Sequence, residues 1–141
     1  MVNRNVIVEL MRTGNLFSDM INTALQTRGL TIQQFNVLRI LRGRNGLAAC
    51  LESVTNDMIH RMSNTSRIVD KLTEKGYVIR EVCKENRRKI DLFITSKGLA
   101  IIEEVDPLLI KKEQELTKTL STKELEQLLQ LLTKLKSKHK H

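Results

Sequence analysis

Apolar residues keep a helical period through most of this chain and abandon it in one place. Up to Gly76 they recur at intervals of three and four residues; from Tyr77 to Ile94 they alternate; from Thr95 the helical interval returns. The switch lies in MSNTSRIVDKLTEKGYVIREVCKENRRKIDLFIT, residues 62 to 95. A helical pattern does not settle as a strand, nor an alternating one as a helix. The chain must therefore set one short β element among helices, with Gly76 at the joint.

Four helices are expected ahead of the joint. Val6, Ile7, Leu10, Met11, Phe17, Met20, Ile21, Ala24 and Leu25 share one helical face, which stops near Gly29. Thr31 and Gln34 are spaced as a capping box, and Leu30 is placed to staple onto Phe35, so a second helix opens there and ends about Gly43. Residues 44 to 49 read as loop, and Leu51, Val54 and Met58 mark a short third helix. Ser63 is the expected N-cap of the fourth, with Ile68, Val69 and Leu72 apolar and Gly76 at C′.

Beyond the joint, Tyr77 to Val82 is rich in β-branched residues, and Ile90, Leu92 and Ile94 alternate with Lys89, Asp91 and Phe93. Polar residues 84 to 88 separate the two runs, which predicts a hairpin with a basic tip. Thr95 is placed to cap a helix through Leu99, Ile102 and Val105, which Pro107 should kink or divide. Ser121 and Glu124 form a second capping box, opening a last helix with Leu125, Leu128, Leu129, Leu132 and Leu135 on one stripe. Three helices followed by a hairpin is a winged helix-turn-helix. The expected fold class is mainly α with a small β-hairpin: a winged helix-turn-helix domain over 30–96, flanked by helical dimerisation elements at 1–29 and 97–141.

Charge and composition narrow the function. A net charge of +8 and a pI of about 9.8 favour an anionic partner, either nucleic acid or an anionic membrane surface. No apolar run approaches the ~18 residues of a membrane span, and the N-terminal stretch lacks a signal-peptide apolar core, so a soluble cytoplasmic protein is expected. With 3% aromatic residues and no Trp, the core should be aliphatic. Cys50 and Cys83 form neither a CxxC pair nor a disulfide-dense pattern, which fits a reducing compartment. Cys50 is read as structural, and Cys83, beside Lys84 and near Arg80, as an inert strand-end cysteine in preference to a reactive thiol. His60 stands alone and His139 and His141 lie in a basic tail, so no metal site is expected. Neither a phosphate-binding glycine loop nor a nucleophile, base and orienting group can be assembled, which argues against a cofactor and against an enzyme.

The residues at the joint suit double-stranded DNA. A recognition helix needs short polar side chains at its exposed first turn, because bulky apolar groups would hold it away from base edges. Ser63, Asn64, Thr65 and Ser66 meet that need, and Arg67 adds a guanidinium able to pair with guanine or phosphate. From Lys84 to Lys89 there are four cations and one anion. Such a tip can lie across phosphates or enter a narrow minor groove, with Arg87 and Arg88 anchoring the wing and Lys84 and Lys89 contacting phosphate.

Nearly the whole chain resembles the MarR family of bacterial transcriptional regulators, most strongly over SNTSRIVDKLTEKGYVIREVCKENRRKIDLFITSKG and also over LTIQQFNVLRILRG. The resemblance implies a repressor that occupies a promoter and is released by a small aromatic or phenolic effector, in a cleft between the terminal helices and the winged domain. Family wings usually carry Asp followed two residues later by Arg; here the phrase is Asn86-Arg87-Arg88, so Arg88 is retained and Asn86 replaces the acid. The apolar stripes of the terminal helices need a cover, and a homodimer supplies one while setting two readers ~34 Å apart over a pseudo-palindromic operator. A winged-helix protein-interaction module without specific DNA binding is the alternative left open.

Overall fold

The computed structural model describes residues 1–59 and 64–139; His60, Ser63 and His141, singled out above, lie outside the described residues. The elements are α1 (Val2–Gln26), α2 (Ile32–Arg42), β1 (Ala49–Cys50), α3 (Leu51–Asp57), α4 (Thr65–Glu74), β2 (Val78–Val82), β3 (Ile90–Ile94), α5 (Ser96–Thr117) and α6 (Thr122–Lys136). Predominantly helical, with one small antiparallel sheet, this is the expected winged-helix fold. The chain divides into two compact units, Met1–Leu109 and Ile110–His141.

The first unit is built on an aliphatic core in which Leu25, Leu38, Leu41, Val54, Val69, Leu72, Leu92, Ile102 and Val105 are all fully buried. Each helix contributes one stripe and leaves its other face outward. In α4 the inward stripe is Thr65, Val69 and Leu72. Thr31 and Gln34 form the expected capping box at the start of α2. The helix ends in an αR residue at Gly43, as the sequence suggests.

The joint at Gly76 determines how α4 meets the sheet. Gly76 has φ 79°, the left-handed conformation that glycine adopts without a Cβ penalty. It lets the Gly76 N–H reach the Thr73 carbonyl and the Tyr77 N–H reach the Leu72 carbonyl, each at 3.0 Å. This pair of bonds is a Schellman motif: it ends the helix and turns the chain directly into β2. Val78 then pairs with Ile94 and Val82 with Ile90 in an antiparallel ladder.

The sheet has one strand more than the alternation predicts. Ala49, expected in a loop, begins β1, which pairs antiparallel to β3 with Ala49 opposite Leu92 and Cys50 opposite Asp91, giving the order β1-β3-β2. Two residues are too few to show a period. This strand is created by the unpaired edge of β3 and by burial of Ala49 against Leu92.

Pro107 does not divide α5, which runs through it from Ser96 to Thr117. Pro107 and Glu103, four residues back, are both exposed, so water can take the carbonyl that the proline leaves without a donor. At the other end of α5, the Thr95 hydroxyl accepts the Gly98 N–H at 3.0 Å, the cap that the sequence predicts. In the second unit, Ser121 and Glu124 close their capping box and open α6, none of whose residues is buried.

Gly98 is the most closely packed of the glycines: a Cβ built there would lie 2.4 Å from the Tyr77 carbonyl oxygen and 2.8 Å from Ile94. Alanine ordinarily favours a helix over glycine by about 1 kcal/mol. Here the clash is with backbone and should win. Gly98→Ala is expected to cost a net ~1–3 kcal/mol, as overpacked sites do, read as a lowered chemical-denaturation midpoint. An unchanged or raised midpoint would show that α5 does not press on Tyr77 in this way.

Candidate nucleic-acid interface

The first turn of α4 is capped by Asn64, whose side-chain oxygen accepts the Arg67 N–H at 3.2 Å. The expected cap, Ser63, lies outside the described residues, and the helix starts at Thr65. Capping uses the Asn64 carbonyl oxygen and leaves its NH2 group as the available donor. Asn64, Ser66 and Arg67 are exposed on the outer face. Thr65 is not. It is 4% exposed, with no hydrogen-bond partner for its hydroxyl among the described residues. Its placement one turn before Val69 on the inward stripe removes it from the group of outward-facing polar residues that the sequence suggests.

The wing tip is shaped by Asn86. Its side-chain oxygen accepts the Arg88 N–H at 3.1 Å, while its main-chain carbonyl accepts the Lys89 N–H and the Lys89 carbonyl accepts the Cys83 N–H, each at 2.9 Å. An amide oxygen thus makes the Asx-turn bond that a carboxylate could make, so the turn does not require an acid at this position. Lys84, Arg87, Arg88 and Lys89 are all exposed. The tip divides them between two hollows. Arg88 and Lys89 line one of about 200 Å³ with Cys50, Leu51 and Glu52; Lys84 and Arg87 line another of about 610 Å³ with Val82 and Cys83.

A residue pair that sequence reasoning missed joins helix and wing. Arg80 of β2 donates to the Asp70 carboxylate of α4, on the outer side of that helix. Asp70 and Lys71 follow Ser66 and Arg67 at helical spacing, so their common face was available from the sequence. The partnership with Arg80 depends on tertiary placement and was not. Lys71 and Arg67 also border a hollow of about 290 Å³ with Asn64, Thr31 and Gln33, between the start of α2 and α4. Among the described residues no group of three or more His, Cys, Asp or Glu side chains could hold a metal ion, and no helix is long and apolar enough to cross a membrane.

No family model matches the chain. It is 25% identical over 127 residues to the proposed transcriptional regulatory protein for the hcr operon of Thauera aromatica, covering 89% of this chain and 75% of that protein. Among solved structures, a cysteine-to-serine variant of MarR from E. coli complexed with operator DNA is 27% identical, with a TM-score of 0.81 over 93% of this chain and 96% of the other. An organohalide-sensing transcriptional regulator in its 2,4-dichlorophenol-bound form is 14% identical, with a TM-score of 0.88 over 99% of this chain and 82% of the other. The first and third are transcriptional regulators by description, and the second is bound to operator DNA.

The Asn86 bond supplies a direct check of the wing. Asn86→Ala removes the acceptor for the Arg88 N–H, a bond of about 0.5–1.5 kcal/mol in typical cases. Amide hydrogen exchange at Arg88 should accelerate by up to roughly tenfold, while Asn86→Asp should keep it near the wild-type rate. Equal exchange in the wild type and the alanine variant would mean that this turn is held by other contacts.

Proposed function

We propose that this chain, which has the winged-helix fold of the MarR-type transcription regulators, is a sequence-specific DNA-binding regulator acting as a homodimer on a pseudo-palindromic operator. The observation that carries the reading is the short polar first turn of α4 lying outward in the same unit as a four-cation wing tip, the two elements joined by Asp70 and Arg80. Ser66, Arg67 and the amide of Asn64, together with the neighbouring Ser63, would read the major groove. Arg88 and Arg87 compete for the minor groove at the wing, and Lys84 and Lys89 contact phosphate. Thr65 supports that turn from inside.

Assembly through the helices outside residues 30–96 is supported by their uncovered apolar side chains. Val2, Val6, Ile7, Met11 and Leu16 are exposed on α1, and Leu128, Leu129, Leu131 and Leu135 on α6. Leu128, Leu131 and Leu135 fall at i, i+3 and i+7 and so share one face of α6, and an exposed apolar face of this kind suits a protein–protein contact. A two-fold pair would present two α4 helices about one turn of DNA apart, ~34 Å. Promoter occupancy would then repress, and a small aromatic or phenolic effector would release the operator, a reading supported by the dichlorophenol-bound regulator of the same fold. Sedimentation should find a dimer at micromolar concentration.

The choice of substitution matters at Asn64. Asn64→Ala would remove both a helix cap, worth ~1 kcal/mol, and a groove contact. Asn64→Ser keeps a neutral cap acceptor and deletes the amide NH2, so it separates the groove contact from the cap without adding charge. On DNA selected from a random pool, Asn64→Ser and Arg67→Ala should each cost about 1–3 kcal/mol and relax specificity. Lys84→Ala and Lys89→Ala should weaken all sequences alike and reduce the salt slope by about one. Binding that resists salt and treats selected and scrambled DNA equally would instead favour a protein-interaction module.

A further inference from the structure

The C-terminal end of α4 is fastened to the ends of two other helices through one side chain. Lys75 Nζ donates to the Gly29 carbonyl just after α1 and, at 3.2 Å, to Gln34 Oε1. The same Gln34 oxygen accepts the Thr31 N–H at 3.1 Å, at the start of α2. The carbonyl of Lys75 accepts from Lys97 Nζ at 3.0 Å, in the first turn of α5. Lys97 in turn sits 5.5 Å from the centre of the Tyr77 ring. One residue therefore bridges the end of α1, the start of α2, the end of α4 and the start of α5.

These bonds are not needed to end the helix. The Gly76 and Tyr77 amides already satisfy the carbonyls of Thr73 and Leu72. The Lys75 ammonium reaches away from α4, to acceptors on other segments. Both of its partners are pure acceptors and the donor is charged, which makes such bonds shorter and stronger than neutral ones. Two further contacts brace the same elements: Arg28 pairs with Glu104 at 2.8 Å and Arg42 with Asp106 at 2.5 Å, each tying the end of a helix to α5.

We propose that Lys75 is a positioning residue for DNA binding: it sets the angle of α4 against α1 and, through its carbonyl and Lys97, against α5, so that a dimer holds its two α4 helices at one fixed separation. This rests on the reading of the protein as a DNA-binding dimer. It concerns neither a base contact nor a phosphate contact, because Lys75 acts at the end of α4 opposite to Asn64.

The test uses Lys75→Met, which keeps an aliphatic stem and removes the donors, and Lys75→Arg, which keeps donors. The full chain is titrated against one selected half-site and against two half-sites with spacers varied one base pair at a time. The wild type should show a sharp spacing optimum. Lys75→Met should bind the single half-site as the wild type does, yet lose about tenfold at the optimum and flatten the spacing curve, because a loosely held second reader has a lower effective concentration. Lys75→Arg should restore most of the optimum. In the free protein, Lys75→Met should also speed hydrogen exchange at the Thr31 amide. A Lys75→Met protein with the wild-type spacing curve, or with equal losses on half-site and full site, would overturn the inference and leave the DNA-binding reading standing. A wild type with no spacing preference on any selected DNA would overturn that reading and the inference with it.

Discussion

The hydrogen bond from the Tyr77 N–H to the Leu72 carbonyl joins the two parts of the protein that carry its chemistry. It closes α4 through a donor that stands one residue before β2 begins, so it fixes both where the helix stops and which face of β2 turns inward. Val78 is buried opposite Ile94 because of that count. A slip of one residue would turn the hairpin over and bring Ile79 and Glu81 to the core. The conformation needs φ 79° at Gly76, which any L side chain would resist. Strand register, wing direction and the outward face of α4 all follow from one glycine and two amide bonds.

Much of this was legible because it is local. The Gly76 stop, both capping boxes, the Thr95 cap and the hairpin each depend on residues within a few positions of one another, and each stands where the sequence puts it. What was not legible depends on distance. β1 is a strand only because β3 lies beside it, and two residues carry no periodicity of their own. Thr65 is an intermediate case. Its spacing to Val69 and Leu72 marks it as inward-facing, but its hydroxyl invites a reading as an exposed polar contact. The residue type was the weaker guide there, and the helical phase the stronger. The bond from Lys75 to Gly29 spans 46 positions, and no sequence pattern announces it.

The positive charge is likewise divided by tertiary structure. Arg28, Arg42, Arg44 and Arg80 pair with Glu104, Asp106, Asp57 and Asp70. With both partners a quarter exposed or more, such pairs contribute about 0–1 kcal/mol each to stability. Their effect is on orientation, since each fixes one segment of the chain against another. The wing cations Lys84, Arg87, Arg88 and Lys89 enter no ion pair among the described residues. Most of the pairing arginines thus brace the frame while the wing keeps its charge outward, where it can meet phosphate. A formal +8 spread evenly would attract DNA without orienting on it.

A dimeric reader needs one more thing from such a frame: stiffness between the surface that pairs and the surface that binds. Binding two half-sites exceeds binding one only to the extent that the second helix arrives already placed, and each degree of looseness between them lowers its effective concentration. Long helices supply stiffness along their axes, but the angle between them is decided at their ends, where backbone carbonyls are left without intrahelical donors. In this protein the C-terminal ends of α1 and α4 are occupied. The Gly29 carbonyl after α1 receives Lys75, and the last carbonyls of α4 receive Gly76 and Tyr77. Groups that would otherwise turn to water instead hold α1 and α4 against their neighbours, so the angle between these helices is set at their termini more than along their apolar stripes.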